Sequence, residues 1–251
     1  TIASGASTLT ATLLDTLIGN GSAQTVTLGA AQTSAIINLL GGSDSLTTVA
    51  GVNTLSVFNT ETIVGGGTDN ITLGGASGGS LQVATVETLT GTTAGEQVTF
   101  SAANTTTLNG IETLIGSVSA EAITLSGPNT VTAAALNTLI GGASVDQVTL
   151  SGANTMTVGG IETLLGSAST DLVTLSGLNT MTVSAVDTLV GSNSNELVSL
   201  TGSTSVTVSN INTLVGAASA DSIQVTLSTA TTSTVAQVDT LIGSASADLI
   251  T

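Results

Sequence analysis

The chain has 251 residues, no Lys, Arg, His, Cys, Trp or Tyr, and 16 acidic residues, for a net charge of −16. With no cation it cannot neutralise phosphates or be drawn to anionic lipid, which argues against nucleic-acid partners and membrane-surface binding. Lack of His and Cys removes imidazole and thiolate ligands, leaving oxygen donors that suit hard cations such as calcium.

No apolar run nears the roughly 20 residues of a membrane span, so membrane insertion is not expected. Thr1–Ser7 lack the charged start and apolar core of a signal peptide. The chain is nevertheless 41% hydrophobic and rich in Val, Ile, Leu and Thr, which argues against disorder.

One phrase recurs: acid or Asn, Thr, Leu or Ile, an apolar residue, Gly. Its glycines are Gly19, Gly41, Gly65, Gly91, Gly116, Gly141, Gly166, Gly191, Gly216 and Gly243. The chain therefore reads as a single repeat domain over 1–251. Its units are irregular over 1–90, regular with a 25-residue period over 91–216, and looser over 217–251. The last unit breaks off at Asp248–Thr251, as expected of a chain that continues.

The unit Glu162–Val186 shows the elements in chain order. Leu172–Ser176 alternates Val173 and Leu175 against Thr174 and Ser176. Thr180–Val183 alternates Met181 and Val183 against two threonines, and a third run spans about 186–190. Gly, Ser, Ala and Asn separate the runs. Period-two alternation between turn residues is a strand signature, and no helical periodicity is present.

The expected fold is all-β: a parallel β-solenoid with three strands per 25-residue coil, about ten coils, right-handed, stacked at roughly 4.8 Å. Its inward columns would be Val98/Ile123/Val148/Val173/Val198, Phe100/Leu125/Leu150/Leu175/Leu200, Thr106/Val131/Met156/Met181/Val206 and Leu114/Leu139/Leu164/Leu189/Leu214.

Fifteen of the 16 acids fall on two repeat positions. Four residues before the glycine lie Asp15, Glu61, Glu87, Glu112, Glu162, Asp187 and Asp239. About five after it lie Asp69, Glu96, Glu121, Asp146, Asp171, Glu196, Asp221 and Asp248; Asp44 stands apart. In 25-residue coils each set would stack as a row of carboxylates repelling by roughly 1 kcal/mol per neighbouring pair in water. Solvation in turns, bound cations or raised pKa values would relieve this. Asn104, Asn129, Asn154 and Asn179 would form an amide ladder along one corner.

Gly141-Gly142-Ala143-Ser144-Val145-Asp146-Gln147-Val148 resembles the hemolysin-type (repeats-in-toxin) nonapeptide, and Gly65-Gly66-Gly67-Thr68-Asp69-Asn70-Ile71 is similar to a shortened copy. That resemblance implies a secreted bacterial protein with calcium held by Asp69, Asp146, Asp171, Asp221 and Asp248. Most units carry Ser in place of the loop glycines. The phrase Val86-Glu87-Thr88-Leu89-Thr90-Gly91 resembles long secreted bacterial β-strand-repeat proteins.

Outward Thr-x-Thr pairs, Thr130/Thr132, Thr155/Thr157 and Thr180/Thr182, are similar to the arrays of ice-binding solenoids and would form a surface-binding face. Catalysis is not expected. No His, Lys or Cys can serve as base or nucleophile, and the acids recur with the pattern instead of breaking it.

The functional expectation is a structural module of an extracellular filament, surface layer, sheath or large adhesin, assembling with copies of itself, with no cofactor. The alternatives are a module that folds on calcium and an ice- or surface-binding protein.

Overall fold

Period-two alternation is realised as 29 strands, with no helix among the described residues. The computed structural model describes residues 1–74, 80–92, 95–192, 194–202, 204–217, 222–229 and 232–251. It contains two compact units, Thr1–Ser126 and Gly127–Thr251. In both, every pairing is parallel and the folding unit is a β-solenoid coil.

The strands of the unit Glu162–Val186 lie where the alternation puts them, at Asp171–Leu175 and Thr180–Ser184, with Thr188–Val190 following. Their arrangement differs from the expectation. Consecutive strands go to two different sheets, and each strand pairs with those two places before and after it. A coil therefore has two strands, not three. The repeat, with its three strands, makes one and a half coils, and the chain winds about 13 turns in place of ten.

The register shows this directly in the second unit. Asn129 pairs with Asp146, Gln147 with Thr163, and Thr163 with Thr182, so that each coil takes fewer residues than a repeat. Two repeats thus fill three coils. Equivalent residues of successive repeats fall on opposite sheets: Asp146 opens a strand of one sheet and Asp171 a strand of the other.

The inward columns are accordingly braided. Val131, Val148, Leu164 and Val183 are successive neighbours in one sheet, the first three drawn from three different expected columns. Three coils carry this column from Val131 to Val183, two positions further than two repeats would. An even slip keeps inward residues inward. All four expected columns are buried, and each Val, Leu or Met contributes about 1.5–3 kcal/mol. A further buried set, Ile111, Leu136, Ile161, Val186 and Ile211, follows the strand that carries the Thr-x-Thr pair.

The coil contact explains most of the marker glycines, though not Gly41, where a Cβ would meet open space. A Cβ on Gly166 would collide with the carbonyl of Ala185 in the next coil, and Gly141, Gly191 and Gly216 stand likewise against Gly160, Asn210 and Gln237. Each facing residue lies in the left-handed region, Ala185 at φ 55° and Asn210 at φ 54°. The corner turn thus pushes a carbonyl onto the coil before it, and only glycine leaves room.

Candidate functional site

The chemistry-bearing side chains gather at the corners where strands begin. Six of the acids about five residues after a marker glycine are buried: Asp69, Asp146 and Asp171 are 0% exposed, Glu121 and Glu196 1%, Glu96 2%, whereas Asp248 is half-buried. This corrects the reading of these acids as solvated turn residues. The carboxylate folds inward because the turn before it presents N–H groups with no strand partner.

Asp171 shows the arrangement. Its Oδ2 accepts from the Ser167 N–H at 2.7 Å and the Ser167 hydroxyl at 3.0 Å, within its own turn. Its Oδ1 accepts from the N–H and the Nδ2 of Asn154 in the preceding coil, both at 3.1 Å. The Asp171 N–H donates to Asp187 Oδ2 in the following coil at 2.8 Å. Asn154 in turn accepts from the Ala135 N–H and donates to the Gly152 carbonyl.

An amide, a buried acid and a half-buried or exposed acid thus stack over three coils. Asn129, Asp146 and Glu162 repeat the triad at the other corner. There Asp146 Oδ1 accepts from the Asn129 N–H at 3.0 Å, and the Asp146 N–H donates to Glu162 at 2.7 Å. In the first unit Asn53, Asp69 and Glu87 do the same, and Gln24, Asp44 and Glu61 form a variant. In the triads at Asp69, Asp146 and Asp171, the two acid sets and the Asn set, each expected to stack on itself, stack on one another. Among the described residues, rows of equivalent residues from successive repeats do not form, and neither does the amide ladder.

Among the expected calcium ligands, Asp69, Asp146 and Asp171 sit in separate triads. Asp248 is bonded to the N–H and hydroxyl of Ser244, and Asp221 lies outside the described residues. Among the described residues no group of three or more acids converges on one point. Both oxygens of Asp146 and of Asp171 face N–H or O–H donors, whose positive ends repel a cation. This donor set does not fit calcium.

Where Glu replaces Asp, the longer side chain no longer satisfies both oxygens. Glu96 Oε2 and Glu196 Oε2 are buried with no partner, as is Asp44 Oδ2. Burial pushes the Asp44 carboxyl above its ordinary value; the Gln24 N–H opposes this and the Glu61 charge adds to it. At Glu96 burial again disfavours ionisation, but hydrogen bonds from the hydroxyl and N–H of Thr92 outweigh it, and the carboxyl lies below its ordinary value. Glu112 moves the opposite way. Burial raises it, the Glu96 N–H works against that, and contact with the negative Glu96 carboxylate adds to the rise.

The expected surface-binding threonines divide between two faces. Thr130, Thr132, Thr180 and Thr182 point outward from one sheet, Thr155 and Thr157 from the other. Their ladders are mixed: Thr130 is followed by Gln147, Thr155 by Leu172, and Thr180 by Leu197.

The Asn of each triad was not legible as a carboxylate partner in 25-residue coils. The signal is a spacing of 17 residues, from Asn129 to Asp146 and from Asn154 to Asp171, which is one coil. No known protein family matches the chain, and neither a characterised protein nor a solved structure does.

Proposed function

We propose that the chain is a structural repeat module of a secreted bacterial filament, surface layer, sheath or large adhesin, one that lengthens by coil-on-coil stacking. The observation that carries this reading is the corner triad. At Asp69, Asp146 and Asp171 one coil supplies the amide or carboxylate that the next requires, so these coils are bonded to their neighbours by the protein's own groups. Contacts run only between successive coils, and length grows by repeating one unit.

The composition supports an extracellular setting. A chain without Lys or Arg offers no site to trypsin-like proteases, and an uncharged, Thr-rich surface with acidic corners stays hydrated without a basic partner. The chain's likeness to secreted β-strand-repeat proteins agrees with this, as does the lack of His, Lys and Cys.

Electron microscopy of the purified chain, in EDTA and in millimolar calcium, tests the proposal. Stiff rods or filaments of equal length in both buffers support it. Globular particles, or rods that form only with calcium, would overturn it.

A further inference from the structure

We infer that both flat faces of the solenoid dock against the faces of further copies of this chain, side by side. The argument begins with the placement of charge. No outward strand position among the described residues is charged. The acids inside strands, Asp69, Glu121, Asp146 and Asp171, are all buried, and the others lie at the corners between strands. With 16 negative charges and no Lys, Arg or His, two copies repel at their corners and have no opposite charge to offer. The faces are the surfaces on which they meet without like charges opposed.

The faces also have the texture of a packing surface. In the second unit one face presents the ladder Thr130, Gln147, Thr163 and Thr182. Leu165 and Leu197 stand on the same face at 39% and 38% exposed. Such β-branched and leucine side chains on a flat parallel sheet are what two stacked sheets interdigitate, about 10 Å apart. A second copy is the occupant that fits, because it repeats with the same strand spacing and the same sequence of bumps along its length.

The one-and-a-half-coil repeat makes this two-sided. A shift of one repeat carries Thr130 to Thr155, and a second carries Thr155 to Thr180, from one sheet to the other and back. The two faces are therefore the same surface, related by a half turn and an advance of one and a half coils. A face that binds a copy on one side implies binding on the other. Association proceeds beyond pairs into layers. One face of one unit, about seven strands at roughly 4.8 Å by about five residues at roughly 3.3 Å, covers about 500 Å². That is below the roughly 800 Å² per partner of a stable interface, so docking grows stronger with the number of coils engaged.

The test uses the full chain and two variants. Thr149→Glu with Thr182→Glu charges one face; adding Thr157→Glu and Thr207→Glu charges both. Particle width by electron microscopy and mass by sedimentation are the readouts. The expected result is graded: layers several solenoids wide for the native chain, pairs for the one-face variant and single solenoids for the two-face variant.

Raising salt screens the corners and widens the native layers. Native chains that stay one solenoid wide at high concentration and high salt would overturn the inference, as would one-face variants as wide as native. Thr149→Glu alone and Thr149→Glu with Thr157→Glu give a second, milder set of variants should the full sets prevent folding, judged by the β-spectrum. End-to-end growth changes length without changing width, so failure of lateral docking is separable from failure of the proposal for coil stacking.

Discussion

Asn154 and Asp171 are 17 residues apart and lie on neighbouring strands, where the N–H and the side-chain amide of Asn154 both bond Asp171 Oδ1 at 3.1 Å. One carboxylate residue thereby ties three coils: it takes two donors from the coil before, two from its own turn, and sends its N–H to Asp187 in the coil after. A chain with no basic residue solves the burial of negative charge with amides and hydroxyls.

Removing that acceptor is expected to be severe. Asp171→Ala leaves the Asn154 and Ser167 N–H groups unpaired inside the corner, at about 1–3 kcal/mol for each unmet group, and the loss is about 3–5 kcal/mol in total. Asp171→Asn retains one acceptor oxygen and is expected to lose about half as much. Thr174→Ala, outward in the same strand, should change stability by less than about 1 kcal/mol. Because repeat arrays unfold in parts, hydrogen exchange over residues 154–175 is the measurement, and equal protection in the Asp171→Ala and Thr174→Ala variants would contradict the triad.

Two glycines of one repeat separate steric from torsional demand. Gly166 has an ordinary backbone, but a Cβ there would strike the Ala185 carbonyl. Gly177 has φ 70° and open space around it. Gly166→Ala must move a neighbouring backbone and is expected to cost several kcal/mol. Gly177→Ala suffers only the left-handed conformation, about 1–2 kcal/mol. Thermal melting of the two variants gives the order, and a reversed order would refute the close coil contact.

The Glu96–Glu112 pair predicts a pH dependence. Glu112 and Asp44 are raised when folded, so their contribution is fully present below the unfolded values, about pH 4, and is lost as pH rises through the folded ones. Glu96 is lowered, so its contribution is present above the unfolded value and is lost as pH falls through the folded one. Stability should therefore decline on the alkaline side of a maximum in the acid range. Glu112→Gln keeps the acceptor for the Glu96 N–H and removes the titration. Its melting temperature should exceed that of the native chain at neutral pH and approach it at the acid maximum, whereas parallel profiles would contradict the raised Glu112 carboxyl.

Strand positions and the inward or outward sense of every residue in Thr180–Ser184 could be read from alternation alone, since burial follows a period of two whatever the sheet. The coil could not. A 25-residue repeat with three strands fits a three-sided coil as well as one and a half turns of a two-sided one, because sequence period counts strands and not sheets. The distinguishing signals were present but carried no meaning without the fold: the step from Asn129 to Asp146, and the step from Gly166 to the Ala185 whose carbonyl it faces, both shorter than a repeat. The buried acids were misread for a related reason. Asp146 and Asp171 sit among Ser and Gly, as surface turns do, and the donors that make burial tolerable come from the coil before.

Removal of divalent cations is expected to leave the fold unchanged. The oxygens of Asp146 and Asp171 already meet N–H and O–H donors, so EDTA and millimolar calcium should give the same β-spectrum, with melting temperatures within a few degrees. A spectrum that collapses in EDTA and recovers with calcium would require the triads to rearrange around metal.

The coil period is tested most directly by disulfide trapping in this cysteine-free chain. Thr132 and Thr149 are paired neighbours on adjacent strands, whereas Thr132 and Thr157 occupy the same position of successive repeats, on different sheets. Cα atoms of paired strands lie within the roughly 4.4–6.8 Å that a disulfide spans. Oxidation of a Thr132→Cys, Thr149→Cys variant should give an intramolecular bond in nearly all molecules, and a Thr132→Cys, Thr157→Cys variant should keep its thiols free. The opposite result would mean that one repeat is one coil, and the one-and-a-half-turn repeat, the triads and the paired faces would fall together.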